Sequence, residues 1–141
     1  MEQKDSKNIL IIIADFYDEI SSNLKNGATN YLNKIKYSYD IKYVSGTLEI
    51  PFILNSFSKK YDGFIVLSCI IKGETDHYDI VKNIALKEIY KICYANNLIM
   101  GSGIITANNY EQALSRSKIS KENYGGRAAV ACHKLLSLIN E

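Results

Sequence analysis

The sequence predicts an α/β fold in which one parallel sheet carries helices on both faces. Two unbroken apolar runs of strand length, 9–14 and 63–71, are typical of strands that are buried on both sides. Segments with apolar residues at helical spacing follow both runs. Continued along the chain, this alternation indicates four strands and four or five helices. Because parallel strands need a crossover between them, we expect a four-stranded parallel sheet between two helical layers.

The composition is that of an ordinary globular domain. A chain of 141 residues can bury a core of its own, so we expect one domain over residues 1–141, with the polar residues 1–7 flexible. The hydrophobic fraction of 47% and the charged fraction of 23% are average values. A net charge of +2 without a Lys/Arg run argues against a nucleic-acid partner.

The cysteines and the N-terminal residues indicate a cytoplasmic protein. Cys69, Cys93 and Cys132 lie inside apolar segments without metal-type pairing, so we expect buried thiols in a reducing compartment. The polar opening residues do not resemble a signal peptide, and the apolar run 9–14 is too short to cross a bilayer.

The first strand, 9–14, is followed by a predicted helix whose start is favoured by the acidic Asp15 and Asp18. Phe16 stands at the carboxyl end of this strand, where an aromatic ring can stack on a planar ligand. The alternative, a hydrophobic staple against the helix, is slightly favoured by the sequence alone. The helix carries its apolar stripe at Ile20, Leu24, Gly27/Ala28, Tyr31 and Ile35.

A second turn with unusual chemistry follows the next predicted strand, 37–44. Gly46 supplies backbone flexibility, and Pro51, the only proline, suits the first turn of a helix over roughly 52–58. The Glu49 carboxylate or the backbone beside it can face a ligand. The alternative is a surface acid that favours the helix start.

The turn 72–79 after the central strand predicts an anion site. Gly73 allows close approach of the backbone or a positive φ angle. Thr75 or Asp76 can cap the helix that follows, whose first amides and dipole attract a phosphate group. The helix itself is indicated by apolar residues at Tyr78, Val81, Ala85, Ile89 and Ile92.

His77 stands at the edge of this predicted anion site and is one of two histidines in the chain. A histidine with the ordinary pKa of about 6.5 can transfer protons near neutral pH. The alternative is that Thr75 and Asp76 only cap the helix and that His77 is a solvated residue of its first turn. Spacing alone supports both interpretations equally.

The remaining elements complete the alternation. Residues 98–106 form a strand whose glycines suggest a bend or a nearby ligand, and Asn108 or Asn109 can cap a short helix that ends near Arg116. Residues 117–123 are polar and expected to be exposed. The last helix carries apolar residues at Ala128, Ala131, Cys132, Leu135 and Ile139.

Two further expectations follow from this arrangement. His133 lies off the apolar stripe of the last helix, so we expect it at the surface. The carboxyl ends of parallel strands share one sheet edge, so the turns behind them should cluster there. These turns contain Phe16, residues 46–49, residues 73–77 and Thr106.

Four motifs occur together in an order that resembles the lumazine synthase (6,7-dimethyl-8-ribityllumazine synthase) family. They are Asp15-Phe16-Tyr17, Ser45-Gly46-Thr47-Leu48-Glu49-Ile50-Pro51, Gly73-Glu74-Thr75-Asp76-His77-Tyr78-Asp79, and Glu111-Gln112-Ala113 with Arg116 behind it. The resemblance covers about 8–139 and implies a flavodoxin-like three-layer α/β/α sandwich. It also implies the condensation of 5-amino-6-ribitylamino-uracil with 3,4-dihydroxy-2-butanone 4-phosphate, which releases phosphate and water without a metal or organic cofactor.

The resemblance also implies a role for individual residues. It makes His77 the proton-transfer group and Phe16 the ring that stacks on the pyrimidine. Contacts to the ring and the ribityl chain are expected from two segments and one position of the fourth strand: Thr47, Leu48 and Glu49, then Cys69, Ile70 and Ile71, and Ser102. The phosphate group is expected to contact Glu74, Thr75 and, from a neighbouring subunit, Arg116.

The sequence departs from the family pattern at three places. Ser102 stands where the family usually has an aromatic residue, Tyr124 stands where it has a lysine, and residues 117–123 lack its usual glycines. Ser102 and Tyr124 favour an alternative, a non-catalytic carrier of lumazine or flavin; a shell-forming relative is another. His77, Arg116 and the Gly73-Glu74-Thr75 segment favour the enzyme, because a carrier needs no phosphate site.

Family members form homopentamers, some of which assemble into hollow icosahedral shells, and riboflavin synthase is a candidate partner. The resemblance therefore implies active sites between subunits. The net charge and the short apolar run 9–14 separately argue against nucleic acid and membrane as partners.

Overall fold

The computed structural model describes residues 7–73 and 77–140. Strands and helices alternate as the sequence predicts, with a 3-10 helix (Thr47–Glu49) before the second α-helix. The strands are β1 (Asn8–Ala14), β2 (Ser38–Val44), β3 (Gly63–Ile71) and β4 (Met100–Ala107). The α-helices are α1 (Asp18–Lys34), α2 (Ile50–Ser56), α3 (Tyr78–Asn96), α4 (Tyr110–Ser117) and α5 (Tyr124–Ile139).

The four strands form one parallel sheet in the order β2-β1-β3-β4, which confirms the predicted sheet. Ile11 at the centre of β1 pairs with Ile41 of β2 on one side and with Ile65 of β3 on the other. Every residue of β3 is buried, and so is every residue of β1 except Asn8. Burial on both faces explains why these two strands are continuous apolar runs.

Alternate residues of β1 are buried in two separate cores, one on each face of the sheet, so the architecture is a three-layer α/β/α sandwich. Ile9, Ile11 and Ile13 face α1 and α5, and their core also contains Leu24 and Cys132. The core on the opposite face contains residues from β1, α2 and α3: Leu10, Ile12, Ile50, Leu54, Ile89 and Cys93. This arrangement confirms the predicted fold class.

Glycines let α5 lie unusually close to its neighbours. A Cβ atom at Gly125 would collide with the backbone carbonyl of Leu24 in α1, and one at Gly101 would collide with the carbonyl of Ala128 in α5. Backbone atoms cannot rotate away as a side chain can, so these positions require glycine for packing.

This close packing corrects the predicted face of α5. Of the predicted stripe only Ala128 and Cys132 are buried, whereas Leu135 and Ile139 are exposed. The other buried positions are Gly125, Gly126, Ala129 and Leu136. The stripe was misplaced because the small residues that approach α1 most closely carry almost no hydrophobic signal.

The predicted surface position of His133 is only partly correct. His133 is half-buried, and its Nδ1 atom lies 2.8 Å from the Tyr31 hydroxyl of α1. The ring of Tyr37 packs edge-on against it, with ring centroids 5.4 Å apart. The approach of α1 and α5 therefore encloses a side chain that the helical pattern places outside.

Boundaries elsewhere agree with the sequence to within a few residues. Helix α2 begins at Ile50, slightly before the predicted start, with Pro51 in its first turn as expected. Asn109 caps α4, since its Oδ1 accepts a hydrogen bond from the Gln112 N–H at 2.8 Å. None of the helices in the described residues is long and apolar enough to span a membrane. Of residues 1–7, which are expected to be flexible, the structure describes only Lys7, whose carbonyl accepts a hydrogen bond of 2.9 Å from the Ser38 N–H. The predicted capping by Thr75 or Asp76 lies outside the described residues.

Candidate active site

A pocket of about 280 Å³ lies at the carboxyl ends of β1 and β3. Strand β2, which follows β1 in the chain, pairs with one edge of β1, and β3 pairs with its other edge. Open α/β sheets bind ligands at such a reversal of strand order. The pocket is lined by Phe16, Tyr17, Gly46, Thr47, Leu48, Glu49, Cys69, Ile70, Ile71 and Val81.

The end of β3 offers unpaired backbone to this pocket. Pairing between β1 and β3 stops at Leu67, whereas pairing between β3 and β4 continues to Ile71. Residues 68–71 therefore have a strand partner on one side only. Backbone N–H and C=O groups on the other side can bind the edge of a planar polar ring, because they are strong hydrogen-bonding groups without a ladder partner.

Phe16 stands at the entrance of the pocket with 71% of its surface exposed. A hydrophobic staple would need an apolar partner at residue 21, which is a serine, so the structure does not support that alternative. The ring instead contacts Tyr17 edge to face, with centroids 4.9 Å apart and an interplanar angle of 86°. This geometry leaves ring surface available for stacking on a ligand.

The 3-10 helix forms the opposite wall and is attached to β3 by a buried hydrogen bond. The hydroxyl groups of Thr47 and Ser68 lie 2.6 Å apart. Leu48 is 44% exposed, and the Glu49 carboxylate accepts a hydrogen bond of 3.4 Å from the Ser45 hydroxyl. Thr47 thus anchors the segment, while Leu48 and Glu49 stay available to a ligand.

We expect Ser68→Ala to weaken both the fold and the pocket. Loss of the buried partner leaves the Thr47 hydroxyl unsatisfied, which costs about 1–3 kcal/mol. Urea unfolding should measure this loss, and the double variant Ser68→Ala/Thr47→Val should recover part of it because both polar groups are then gone. A double variant less stable than Ser68→Ala would contradict the hydrogen bond as the cause.

The thiol of Cys69 lines the pocket but is not a nucleophile at neutral pH. Burial raises its pKa to about 12, so it stays protonated. The same cause raises the pKa of Cys93 to about 11 and that of Cys132 to about 12. All three cysteines are buried and free, as the sequence predicts.

Three of the predicted site residues do not line this pocket within one chain. His77 is exposed immediately before α3, one turn ahead of the pocket residue Val81. The Arg116 guanidinium donates a hydrogen bond of 2.7 Å to the Thr106 carbonyl at the carboxyl end of β4. Ser102 is half-buried on β4, beside Val66. Glu74 and Thr75 lie outside the described residues.

Tyr17 and Val81 are pocket residues that the sequence did not single out. Tyr17 directly follows Phe16, and this position could have indicated that it also lines the pocket. The helical spacing places Val81 in the apolar stripe of α3, and only the packing of α3 over the pocket shows that it also lines the pocket. Among the described residues, no group of His, Cys, Asp and Glu side chains could hold a metal ion.

Comparison with known proteins identifies relatives along nearly the whole chain. The family model described as 6,7-dimethyl-8-ribityllumazine synthase matches residues 6–140. The 6,7-dimethyl-8-ribityllumazine synthase of Bartonella henselae is 40% identical over 136 residues, which are 93% of this chain and 87% of the relative. The protein of that name from Bartonella tribocorum is 38% identical, over 97% of this chain and 93% of its own length.

Among solved structures, a GDP-L-fucose synthetase from Naegleria fowleri covers 99% of this chain and 48% of its own, at 11% identity and a TM-score of 0.40. That likeness is too weak to carry an argument. The family match and the two relatives, by contrast, each extend over most of the chain. The chain therefore belongs to the 6,7-dimethyl-8-ribityllumazine synthase family.

Proposed function

We propose that this protein condenses 5-amino-6-ribitylamino-uracil with 3,4-dihydroxy-2-butanone 4-phosphate to 6,7-dimethyl-8-ribityllumazine, with release of phosphate and water. The observation that carries the proposal is the meeting of three distant segments at one pocket. They contribute Phe16, then Thr47, Leu48 and Glu49, and finally Cys69, Ile70 and Ile71. The membership of the family and the names of the relatives support the same reaction.

The pocket suits the ribitylaminouracil substrate. The exposed Phe16 ring can stack on the pyrimidine, whose polar edge matches the unpaired backbone at the end of β3. The ribityl chain is a row of hydroxyl groups, and Thr47 to Glu49 offer backbone and carboxylate partners on the opposite wall. Holding two substrates in register in this way can supply about 7–11 kcal/mol of the barrier reduction.

We propose that the phosphate group binds at the amino end of α3, through Glu74, Thr75 and Arg116. Gly73 has φ of 87°, which turns the chain between β3 and this helix. A phosphate at a helix amino terminus is stabilised by free N–H groups and the helix dipole. Arg116 belongs to the last turn of α4, and its guanidinium lies at the carboxyl end of the edge strand β4. There it can reach the site of a second copy packed against that strand.

We further propose that the protein is a homopentamer with sites between subunits. Support comes from large apolar side chains that α2 and α3 leave uncovered: Phe52, Ile80, Ile84 and Tyr94 are between 49% and 78% exposed. Closed rings of identical subunits cover such faces. Sedimentation velocity should give a single species of pentamer mass.

The cellular setting is the last part of this proposal. The buried free thiols suit a reducing compartment, and we place the enzyme in the cytoplasm. There the lumazine product would pass to riboflavin synthase.

The function is tested by mixing the purified protein with both substrates and following lumazine fluorescence and phosphate release together. We expect the two products in equal amounts. Omission of either substrate should abolish both signals. Tight binding of added lumazine or flavin without any turnover would instead identify the alternative, a non-catalytic carrier.

We expect His77→Ala to lower kcat only modestly, by less than about 100-fold, which is the lower end of what acid–base groups supply. His77 is exposed, so water can take over part of its proton transfer. The matched control is His133→Ala, which removes the only other histidine from a position between α1 and α5. A loss far beyond 100-fold, or equal losses in both variants, would contradict this role.

A further inference from the structure

We infer that Tyr17 and Tyr110 form an aromatic brace that orients Phe16 before a ligand binds. The brace consists of the three rings in contact order, Phe16 to Tyr17 to Tyr110. The ring contacts are a property of the fold, whereas their effect on pyrimidine binding rests on the proposed function. Tyr110 is therefore assigned as a positioning residue.

The ring geometry carries this inference. Phe16 and Tyr17 have centroids 4.9 Å apart at 86°, and Tyr17 and Tyr110 have centroids 6.1 Å apart at 67°. Both are edge-to-face pairs, which are favoured by the quadrupoles of the rings. Tyr17 is partly buried against the core between the sheet and α1, so it connects an exposed ring to the fixed interior.

The far end of the brace is held in place by two helices. Tyr110 opens α4, whose start is capped by Asn109. Its hydroxyl donates a hydrogen bond of 3.4 Å to the Glu19 carboxylate in the first turn of α1. Burial, followed by the nearby Glu19 carboxylate, raises the pKa of Tyr110 above that of an ordinary tyrosine, which is already protonated at neutral pH.

Without the brace, Phe16 would be a mobile side chain that a ligand must immobilise. Ordering one rotamer-rich side chain on binding weakens affinity about 2- to 10-fold. A ring that is already held avoids this loss. We therefore expect the brace to act on the Michaelis constant of the ribitylaminouracil, with little effect on that of the butanone phosphate.

The kinetic test compares Tyr110→Leu with Tyr110→Phe. The leucine variant removes the ring, and we expect the KM for the ribitylaminouracil to rise about 2- to 10-fold. We expect the kcat and the KM for the butanone phosphate to stay within about twofold of the wild type. Tyr110→Phe keeps the ring but loses the hydrogen bond to Glu19, so we expect a KM between those of the wild type and the leucine variant. A rise of both KM values together would overturn the assignment.

Tyr61→Leu is the matched control. The Tyr61 hydroxyl also donates a hydrogen bond to a carboxylate, that of Asp40, at 2.7 Å, and its ring packs edge-on against Phe64. Tyr61 lies just before β3, at the amino end of the strand, whereas the pocket lies at the carboxyl end. We expect this variant to leave the KM for the ribitylaminouracil unchanged. An equal rise in Tyr61→Leu would show that general destabilisation is the cause.

The second readout needs no activity. The chain has four phenylalanines, so phenylalanine labelled with carbon-13 in the ring gives a simple NMR spectrum. We expect Tyr110→Leu to increase the ring mobility of Phe16 and to leave that of Phe52 unchanged. Unchanged Phe16 mobility overturns the brace. If the wild type shows no turnover, the proposed function is wrong. The ring mobility of Phe16 then still tests whether the brace orients this ring.

Discussion

Arg116→Ala should raise the KM for the butanone phosphate by about 10- to 100-fold while kcat changes much less. The expected size follows from the loss of charge-assisted hydrogen bonds, which are worth about 1.5–3 kcal/mol. In the wild type the guanidinium is already oriented by its hydrogen bond to the Thr106 carbonyl. A fixed guanidinium presents several donors to one phosphate, so Arg116→Lys should recover only part of the affinity.

The chain offers a matched control for this prediction. Its only other arginine, Arg127, is exposed on α5 and lies over the Tyr124 ring. Arg127→Ala removes the same charge, and we expect it to leave the KM for the butanone phosphate unchanged. Steady-state kinetics with each substrate varied in turn separates the outcomes. A normal KM in Arg116→Ala would refute the phosphate contact.

Gly125→Ala should lower the free energy of unfolding by about 3 kcal/mol, the upper end of the range for overpacked sites. The added methyl group would collide with the backbone carbonyl of Leu24, so α1 and α5 would have to separate. Their contact forms much of one core, which contains Leu24, Ala128, Ala129, Cys132 and Leu136. The higher helix propensity of alanine offsets little of this loss, because Gly125 is the second residue of α5 and the gain of about 1 kcal/mol applies to helix interiors.

Gly73→Ala separates this packing effect from the backbone effect of losing a glycine. Gly73 has φ of 87° and open space around the position of a Cβ atom. Only the cost of a left-handed alanine applies there, about 1–2 kcal/mol. Urea unfolding should therefore rank Gly125→Ala as the less stable variant. The reverse ranking would mean that α1 and α5 adapt easily to a larger residue.

Most of the fold could be predicted from the sequence because its determinants are local. The apolar runs 9–14 and 63–71 have the length and the β-branched residues of strands buried on both faces, and they form the centre of the sheet. The stripe of α3 contains Ala85 and Ile89, both fully buried. The capping of α4 by Asn109 and the position of Pro51 in the first turn of α2 depend on a few neighbouring residues, so the sequence could predict them as well.

The candidate site was predictable only in part. Topology alone places the ends of β1 and β3 side by side, and Phe16, the segment 47–49 and residues 69–71 do line one pocket. His77, Arg116 and Ser102 do not line it within one chain. Their place in the site stays a prediction that depends on how copies of the chain pack together.

The sequence by itself determined the order of the elements, the strands at the centre of the sheet and the sheet edge where the pocket lies. Hydrophobic periodicity and turn chemistry act over a few residues, so one sequence suffices to read them. Only the tertiary structure decided the buried face of α5, the contact of His133 with Tyr31 and the ring contacts from Phe16 to Tyr110. These contacts join distant segments whose approach is set by glycine packing and shape complementarity, neither of which leaves a periodic signal.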